Sequence, residues 1–383
     1  MSAMRALVLG GCGTMGREVI RDLSQTSGFE RIVIADKDLA RARALVDELA
    51  DPRLHAATVD VTQPAEVEAL LRDCDVVANC TTYHFGLDLV RLAIACRKPY
   101  VDLGGLFNTP RQLALGPEAE RAGTTIVLGC GATPGVTNLM AKAAAAEMDA
   151  VDRVEIAFGS LRPLAASPGL LDTLLEEFSP TTQRFFYENG SFVPVPPFDG
   201  AKRMEFLPPV GSLETYYVPH SETHTLPRFL SSPPHHVSVR GSWHPEIMSA
   251  MRLFLKYGLT SEEPIAVNGT RVSPRDFMRA HLLQRPDAIA DGPVAFFLRV
   301  EVTGWSNGST VAATYRSSHP TTDWGPAGTA RMTGIPASIA LQTLAAGDVK
   351  RVGVMGPEGA FEPQPFFQQL RRRGITIERV ATD

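Results

Sequence analysis

Leu7-Val8-Leu9-Gly10-Gly11-Cys12-Gly13-Thr14-Met15-Gly16-Arg17-Glu18 is the stretch on which the fold of this chain turns. An apolar run at 5–9 precedes it and has strand character; a helical spacing of apolar residues over 14–25 follows it. Gly11, Gly13 and Gly16 occupy the three glycine places of a G-x-G-x-x-G fingerprint, in the strand-then-helix context that fingerprint requires. Gly11 permits a tight turn, Gly13 leaves room for a diphosphate to approach the backbone, and Gly16 lets helix and strand pack closely. The free N–H groups of Thr14 and Met15 and the positive end of the helix then face the anion. Gly10, Gly13 and Gly16 also satisfy a wider spacing, G-x-x-G-x-x-G, so the loop indicates dinucleotide binding without fixing the variant.

The same alternation continues outward. Strands are predicted at 31–35, 54–58, 75–79, 100–102 and 125–128, with helices at 39–50, 64–72, 85–96 and 110–122 between them. Alternating strands and helices imply right-handed crossovers and a parallel sheet covered on both faces, an N-terminal Rossmann domain of doubly wound α/β type. Asp36 stands 20 residues after Gly16 at the end of the second strand, where a carboxylate accepts from ribose hydroxyls and repels a 2′-phosphate. NAD is therefore expected over NADP, with Lys37 pulling the other way and leaving NADP open. Asp60 and Val61, after the third strand, are placed beside the adenine or in a helix N-cap region. Asn79, Cys80 and Thr81, after the fourth strand, are placed at the nicotinamide side.

Hydrophobic residues at 44% and charged residues at 21% describe an ordinary globular chain, and 383 residues suffice for two or three domains. A net charge of -5 supplies no broad basic field for nucleic acid. No run approaches the ~20 apolar residues of a membrane span, and no signal-peptide pattern opens the chain. Cys12, Cys74, Cys80, Cys96 and Cys130 match no disulfide framework or metal spacing; an odd count points to free thiols in a reducing compartment, and no metal is expected.

From residue 151 the texture changes, with prolines interrupting 163–235 and predicting a loop-rich, mixed region. Asn189-Gly190 and Asn307-Gly308 mark hairpins between 185–188 and 192–195 and between 295–303 and 310–315. The second domain is therefore α+β with a largely antiparallel sheet. Further helices are predicted at 245–257, 274–283, 328–346 and 363–373.

Several stretches together resemble the saccharopine dehydrogenase-like oxidoreductases, including the lysine 6-dehydrogenase and carboxynorspermidine dehydrogenase branches. They are the glycine loop with Ala35-Asp36-Lys37-Asp38, residues 74–79 leading to Arg97-Lys98-Pro99-Tyr100-Val101-Asp102-Leu103-Gly104, Gly131-Ala132-Thr133-Pro134-Gly135-Val136-Thr137-Asn138, and Glu262-Glu263-Pro264 through Gly269. The resemblance covers most of the length. It implies a Rossmann domain over 1–130, a substrate-binding and dimerisation domain over 131–325, and a C-terminal helical segment over 326–383 that returns to the Rossmann side. It also implies a homodimer and NAD(P)-linked oxidation or reduction of a carbon–nitrogen bond in an amino-acid or opine-like substrate, while composition and the odd cysteine count make a cytoplasmic location the expectation. The chain departs from the family at Cys80-Thr81-Thr82-Tyr83-His84-Phe85 and near Arg240-Gly241-Ser242-Trp243-His244-Pro245, which leaves the substrate open.

Because the cofactor carries the hydride, the chain must orient the substrate and manage one proton. Asp102, His84 and Tyr83 are the candidates at the strand ends, Asp102 being equally readable as a loop-fixing carboxylate. Gly131 and Thr133, at the start of a helix reaching 146, are candidates for the nicotinamide carboxamide or a substrate carboxylate, or for simple helix capping. In the second domain His220, Glu222, His224, His235, His236 and His244 share a 25-residue window with Arg228 and Arg240. Arg240 is the expected partner of a substrate carboxylate, with His244 beside it. Two other functions compete: a reductive condensation enzyme of the carboxynorspermidine type, and a non-catalytic NAD(P) sensor. A substrate-sized polar cavity at the nicotinamide end separates enzyme from sensor.

Overall fold

The computed structural model describes residues 4–105, 107–285, 292–320 and 328–380; residues 1–3 and the expected boundary at 325/326 lie outside them. Six strands, β1 (Arg5–Leu9), β2 (Arg31–Asp36), β3 (Leu54–Thr58), β4 (Val76–Asn79), β5 (Tyr100–Asp102) and β6 (Thr125–Val127), form a parallel sheet in the order β3-β2-β1-β4-β5-β6. The chain order reverses between β1 and β4, so their carboxyl ends open the crevice in which doubly wound sheets hold ligands. The predicted strands and helices of this half agree with the structure to within a residue at most ends. One exception is 110–122, which is two short helices, Thr109–Leu113 and Gly116–Ala122.

The C-terminal segment returns to this sheet, as expected. Strand Gly353–Met355 pairs parallel with β6 as a seventh strand. Helix Gly328–Ala345 packs on helix α1 (Thr14–Thr26), where a Cβ on Gly334 would lie 2.8 Å from Glu18 Cβ and 3.0 Å from the Met15 carbonyl. Asp22, buried in α1, fastens the contact by accepting from Ser338 Oγ (2.6 Å) and Arg373 Nε (2.7 Å).

The second sheet is centred on β7 (Ala150–Leu161), parallel to His236–Trp243 on one side and antiparallel to Ala295–Ser306 on the other. Every other junction is antiparallel, through Ser212–Tyr217 and Lys202–Glu205 at one edge and Ser309–Pro320 and Glu378–Val380 at the other. Both Asn-Gly hairpins form, with positive φ at Asn189 and Gly190 and at Asn307 and Gly308, the backbone a two-residue turn between twisted strands requires. The proline-rich stretch holds more order than expected. Pro168 sits in the first turn of helix Pro168–Glu177, where it costs no hydrogen bond, and Pro227 lies inside helix Glu222–Phe229. Strand β7 escaped notice because Asp152, Arg153 and Glu155 break its apolar run, although it is buried along most of its length. No helix among the described residues is long and apolar enough to cross a membrane.

Candidate active site

Close packing shapes the glycine loop. Gly10 has the left-handed backbone (φ +70), and a Cβ there would meet Thr81 N at 2.9 Å. The turn expected at Gly11 is thus made one residue earlier, while a Cβ on Gly11 would stand 2.8 Å from Ile34 Cγ2. A Cβ on Gly16 would stand 2.3 Å from the Gly10 carbonyl, so this glycine lets α1 start directly behind β1. Gly13 is the N-cap of α1, and its N–H is spent on the Gly10 carbonyl (3.0 Å). The next N–H groups, on Thr14, Met15 and Gly16, precede the first intrahelical donor, Arg17 N–H, and are free for a diphosphate. A cradle too tight for side chains and lined by free N–H groups fits the dinucleotide.

Asp36 stands beside it. Its Oδ2 accepts from Cys12 N (3.1 Å) and its Oδ1 from Asp38 N (3.2 Å), which fixes the carboxylate while leaving lone pairs for ribose hydroxyls. Lys37 is exposed. Asp60 is exposed too, and Oδ1 accepts from Thr62 N (2.9 Å) and Thr62 Oγ1 (2.7 Å), bonds that lower its pKa. With half-buried Val61 it forms the turn leading into helix Pro64–Arg72. Asn79 is buried and braces the next loop, donating to Tyr100 Oη (2.9 Å) and accepting from Thr81 N and Oγ1 (3.0 and 2.6 Å). Cys80 follows it against Gly10.

Asp102 has both oxygens occupied: Oδ1 by the N–H groups of Gly104 (2.9 Å) and Gly129 (2.8 Å), Oδ2 by Gln112 Nε2 (3.1 Å) and Tyr100 Oη (3.4 Å). This is the loop-fixing arrangement, and burial raises its pKa despite those bonds. Tyr83 and His84 occupy a short turn with rings stacked at 4.1 Å. His84 is exposed, whereas Tyr83 donates to Glu176 Oε2 (2.5 Å) and so links the Rossmann half to helix Pro168–Glu177.

A cavity of about 230 Å³ lies where the two halves meet. Met15, Tyr83, Gly104 and Gly105 wall it from the Rossmann side, and Thr133 and Pro134 at the start of the second domain adjoin them. Phe158, Arg162, Glu177, His220 and Trp243 wall it from the other, and Thr329 and Thr333 of the returning helix complete it. Its wall includes buried ionisable groups. His220 Nδ1 is 3.2 Å from Glu222 Oε2, and Nε2 is 3.8 Å from Glu177 Oε1. Glu222 Oε1 accepts from Thr133 Oγ1 and Thr137 Oγ1, both at 2.8 Å, which brings the predicted Thr133 into this group; Gly131 is bridged to Gly135 just before it. Burial alone would depress the His220 pKa, but Glu222 and Glu177 raise it to about 9. Glu222 is buried as well, yet its pKa is held down by His220.

Arg240 and His244 lie outside this cavity. Arg240 donates to Glu155 Oε1 (3.1 Å), Tyr217 Oη (2.7 Å) and the Gly200 carbonyl (3.2 Å), which occupies the fork expected to meet substrate. His244 caps helix Pro245–Lys256, its Nδ1 accepting from Glu246 N at 3.3 Å. His220 and Glu222 sat in the histidine-rich window without standing out from it. Arg162 and Glu177 carried no sequence signal, since one follows an apolar strand and the other ends a leucine-rich helix.

Residues 6–127 match the family described as the saccharopine dehydrogenase NADP binding domain, and residues 131–375 match the saccharopine dehydrogenase C-terminal domain. The chain belongs to the saccharopine dehydrogenase family. Within it, this is an NAD(P)-binding oxidoreductase. The chain is 21% identical over 398 residues to carboxyaminopropylagmatine dehydrogenase of Synechocystis sp., covering 98% of both proteins. It is 22% identical over 309 residues to carboxynorspermidine synthase of Vibrio alginolyticus, covering 74% of this chain and 73% of that one. Its fold is similar to that of saccharopine dehydrogenase (L-Glu forming) from Saccharomyces cerevisiae, with a TM-score of 0.75 at 19% identity over 99% of this chain and 100% of that one.

Proposed function

We propose that this protein oxidises or reduces a carbon–nitrogen bond in an amino-acid-like substrate, using NAD in preference to NADP. The observation that carries the reading is the cavity between the glycine loop and the second domain, with an ionisable His220 in its wall and Glu222 3.2 Å behind it. When bound, the nicotinamide cofactor supplies the hydride acceptor or donor. Oxidation of an amine also removes one proton from nitrogen, and reduction of the imine returns it. His220, charged at neutral pH and held by Glu222, gives that proton to the amine formed in reduction; its neutral form takes it up in oxidation. Thr133 and Thr137 fix Glu222 and thereby the imidazole.

The carboxynorspermidine synthase relative favours a second reading of the same site, reductive condensation of an amine with a carbonyl compound. The two run through one imine and differ in direction. A passive NAD(P) sensor has no use for a buried histidine–carboxylate pair beside its cofactor loop.

The accompanying assignments follow. Residues 1–130 bind the cofactor, 131–325 bind substrate and form dimer contacts, and 326–383 pack back on the first domain. Gly11, Gly13, Thr14, Met15 and Gly16 hold the diphosphate, and Asp36 holds the ribose. Five free cysteines support a reducing, cytoplasmic compartment. Exposed Leu253, Tyr257, Ile265, Val267 and Phe277 support a homodimer.

The test is absorbance at the reduced-nicotinamide band with both cofactors, amino acids and opines in the oxidative direction, and amine–carbonyl pairs in the reductive one. Tight cofactor binding with no turnover across the panel refutes the enzymatic reading.

A further inference from the structure

Helix Val136–Ala145 begins with Val136, Thr137 and Asn138, and the last two hold two different buried carboxylates. Thr137 Oγ1 donates to Glu222 Oε1 (2.8 Å), while Asn138 Nδ2 donates to Glu358 Oε2 (2.9 Å). The Asn138 amide is fixed in this sense because its Oδ1 accepts from Gly135 N (2.8 Å). Thr225, one helical turn after Glu222, accepts from the same amide nitrogen (3.1 Å) and bonds the Glu358 carboxyl. Gly356 lets that carboxyl fold back on the chain: a Cβ there would stand 2.5 Å from Glu358 Oε2 and 2.8 Å from Thr225 Cβ. The returning C-terminal segment thus sets a further buried carboxyl group beside the His220–Glu222 pair.

Charge balance decides what this placement does. His220 is one cation against Glu222 and Glu177, and Arg162 acts on Glu177. Glu222 acts on Glu358, and Glu358 in turn on Cys130, whose thiol burial pushes up and keeps neutral. Lys142 is spent on the Phe361 carbonyl and Glu362, Arg228 acts on His224, and strand Gly353–Met355 brings no charged side chain. Buried like charges oppose each other's ionisation. While His220 is charged, its pair with Glu222 is neutral overall. The pKa of about 7 at Glu358 lies below that of about 9 at His220, so Glu358 ionises first and an added anion then faces the pair.

We infer that Glu358 is a positioning residue for the proton-transfer step, an anion supplied by the C-terminal segment that holds the proton on His220 through Glu222. This rests on the reading of His220 as the proton carrier. It gives the returning segment a part in the chemistry as well as in the packing. Once Glu358 has ionised, His220 stays charged to higher pH, and the reductive direction keeps its proton donor. Glu358 itself exchanges no proton with substrate.

The experiment is a pH titration by NMR of the full chain carrying ¹³C at histidine Cε1 and glutamate Cδ, which reads each group independently of turnover. His220→Gln identifies the His220 signal by its loss, and Glu358→Gln identifies that of Glu358. Glu358→Gln should lower the pH at which His220 titrates by on the order of one unit, the scale of a nearby buried charge. Glu358→Asp, which keeps the charge, should restore the native value in part. Reciprocally, His220→Gln leaves Glu222 uncompensated and should raise the pH at which Glu358 titrates. An unshifted His220 in Glu358→Gln, or an unshifted Glu358 in His220→Gln, overturns the inference, and each variant decides alone where the other does not fold. Rate profiles separate this from the reading beneath it. If both signals shift but His220→Gln turns over like the native chain, His220 is not the proton carrier and the coupling stands. If His220→Gln removes the inflection while Glu358→Gln leaves it in place, the coupling falls and the reading of His220 stands.

Discussion

His220 Nδ1 lies 3.2 Å from Glu222 Oε2, and both side chains are buried where the second domain meets the Rossmann crevice. Burial works against a charged imidazole, but the two carboxylates outweigh it and raise the pKa to about 9. Oxidation of an amine, which needs the neutral ring, should accelerate as pH rises toward 9, and reduction should hold up below it. His220→Gln is expected to remove this inflection and lower turnover by about 10²- to 10⁴-fold, the usual scale for a general acid–base group. Glu222→Gln should move the inflection to lower pH. A pH–rate profile in each direction decides it, and an unchanged inflection in His220→Gln would exclude the residue from proton transfer.

The same pair predicts a stability trend. Because the folded pKa of His220 is raised above its ordinary 6.5, its stabilising contribution is complete below that value and is lost as pH rises through about 9. The stability difference between the native chain and His220→Gln should therefore shrink across this window. Urea denaturation at pH 6 and pH 10 measures it, and a difference that grows with pH would contradict the assignment.

Glu358 is 1% exposed; its Oε2 accepts from Asn138 Nδ2 (2.9 Å), while Oε1 has no partner. Burial raises its pKa to about 7, helped by the nearby Glu222 charge. A carboxyl shifted upward stabilises the fold below its ordinary value near 4.5 and loses that contribution as pH rises through about 7. Glu358→Gln keeps the shape without the charge, so it should match the native chain near pH 5 and exceed it at pH 8 by on the order of 3 kcal/mol at most. Melting temperatures at the two pH values test this, and a variant less stable at pH 8 would refute it.

The Rossmann half was legible because its signals are local. The glycine loop, the crossover helices and Asp36 each lie within one turn or one strand of the pattern that announces them. His220, Glu222, Glu177 and Arg162 are spread over more than fifty residues and meet only through β7 and two helices, so no spacing betrays them. Arg240 shows the converse error. An arginine in a histidine-rich window reads as a ligand, but the register beside β7 pairs it with Ala157 and leaves Glu155, two residues along on the same face, to take up its charge. Asp102 was placed correctly at the end of β5, yet four hydrogen bonds there show a brace that sequence could not separate from a proton carrier.

Cofactor choice follows from the surroundings of Asp36. Its carboxylate is fixed by Cys12 N and Asp38 N, and Arg41 Nη2 is anchored close by on the Cys12 carbonyl at 2.7 Å. Asp36→Ala removes the ribose acceptor and the repulsion of a 2′-phosphate but leaves Arg41 and Lys37 in place. NADH affinity should fall by about 10-fold, while NADPH affinity holds or rises. Fluorescence titration with both nucleotides checks this, and an unchanged NADH to NADPH ratio would remove Asp36 from cofactor selection.

Gly16→Ala tests the loop itself. The added methyl would sit 2.3 Å from the Gly10 carbonyl and 2.8 Å from Gly11 Cα, both backbone atoms with no flexible side chain to give way. The start of α1 must then lift from β1, which separates the N–H groups of Thr14 and Met15 from the site they serve. Overpacking of this kind costs about 1–3 kcal/mol. A melting temperature lowered by several degrees should accompany a loss of NADH affinity larger than that destabilisation alone would explain at 25 °C, where the fold persists. Gly28→Ala, with nothing within 4 Å of its Cβ, is the matched control and should leave both quantities near native values. If Gly16→Ala bound NADH like the control, the turn over residues 10–16 would not be the diphosphate seat.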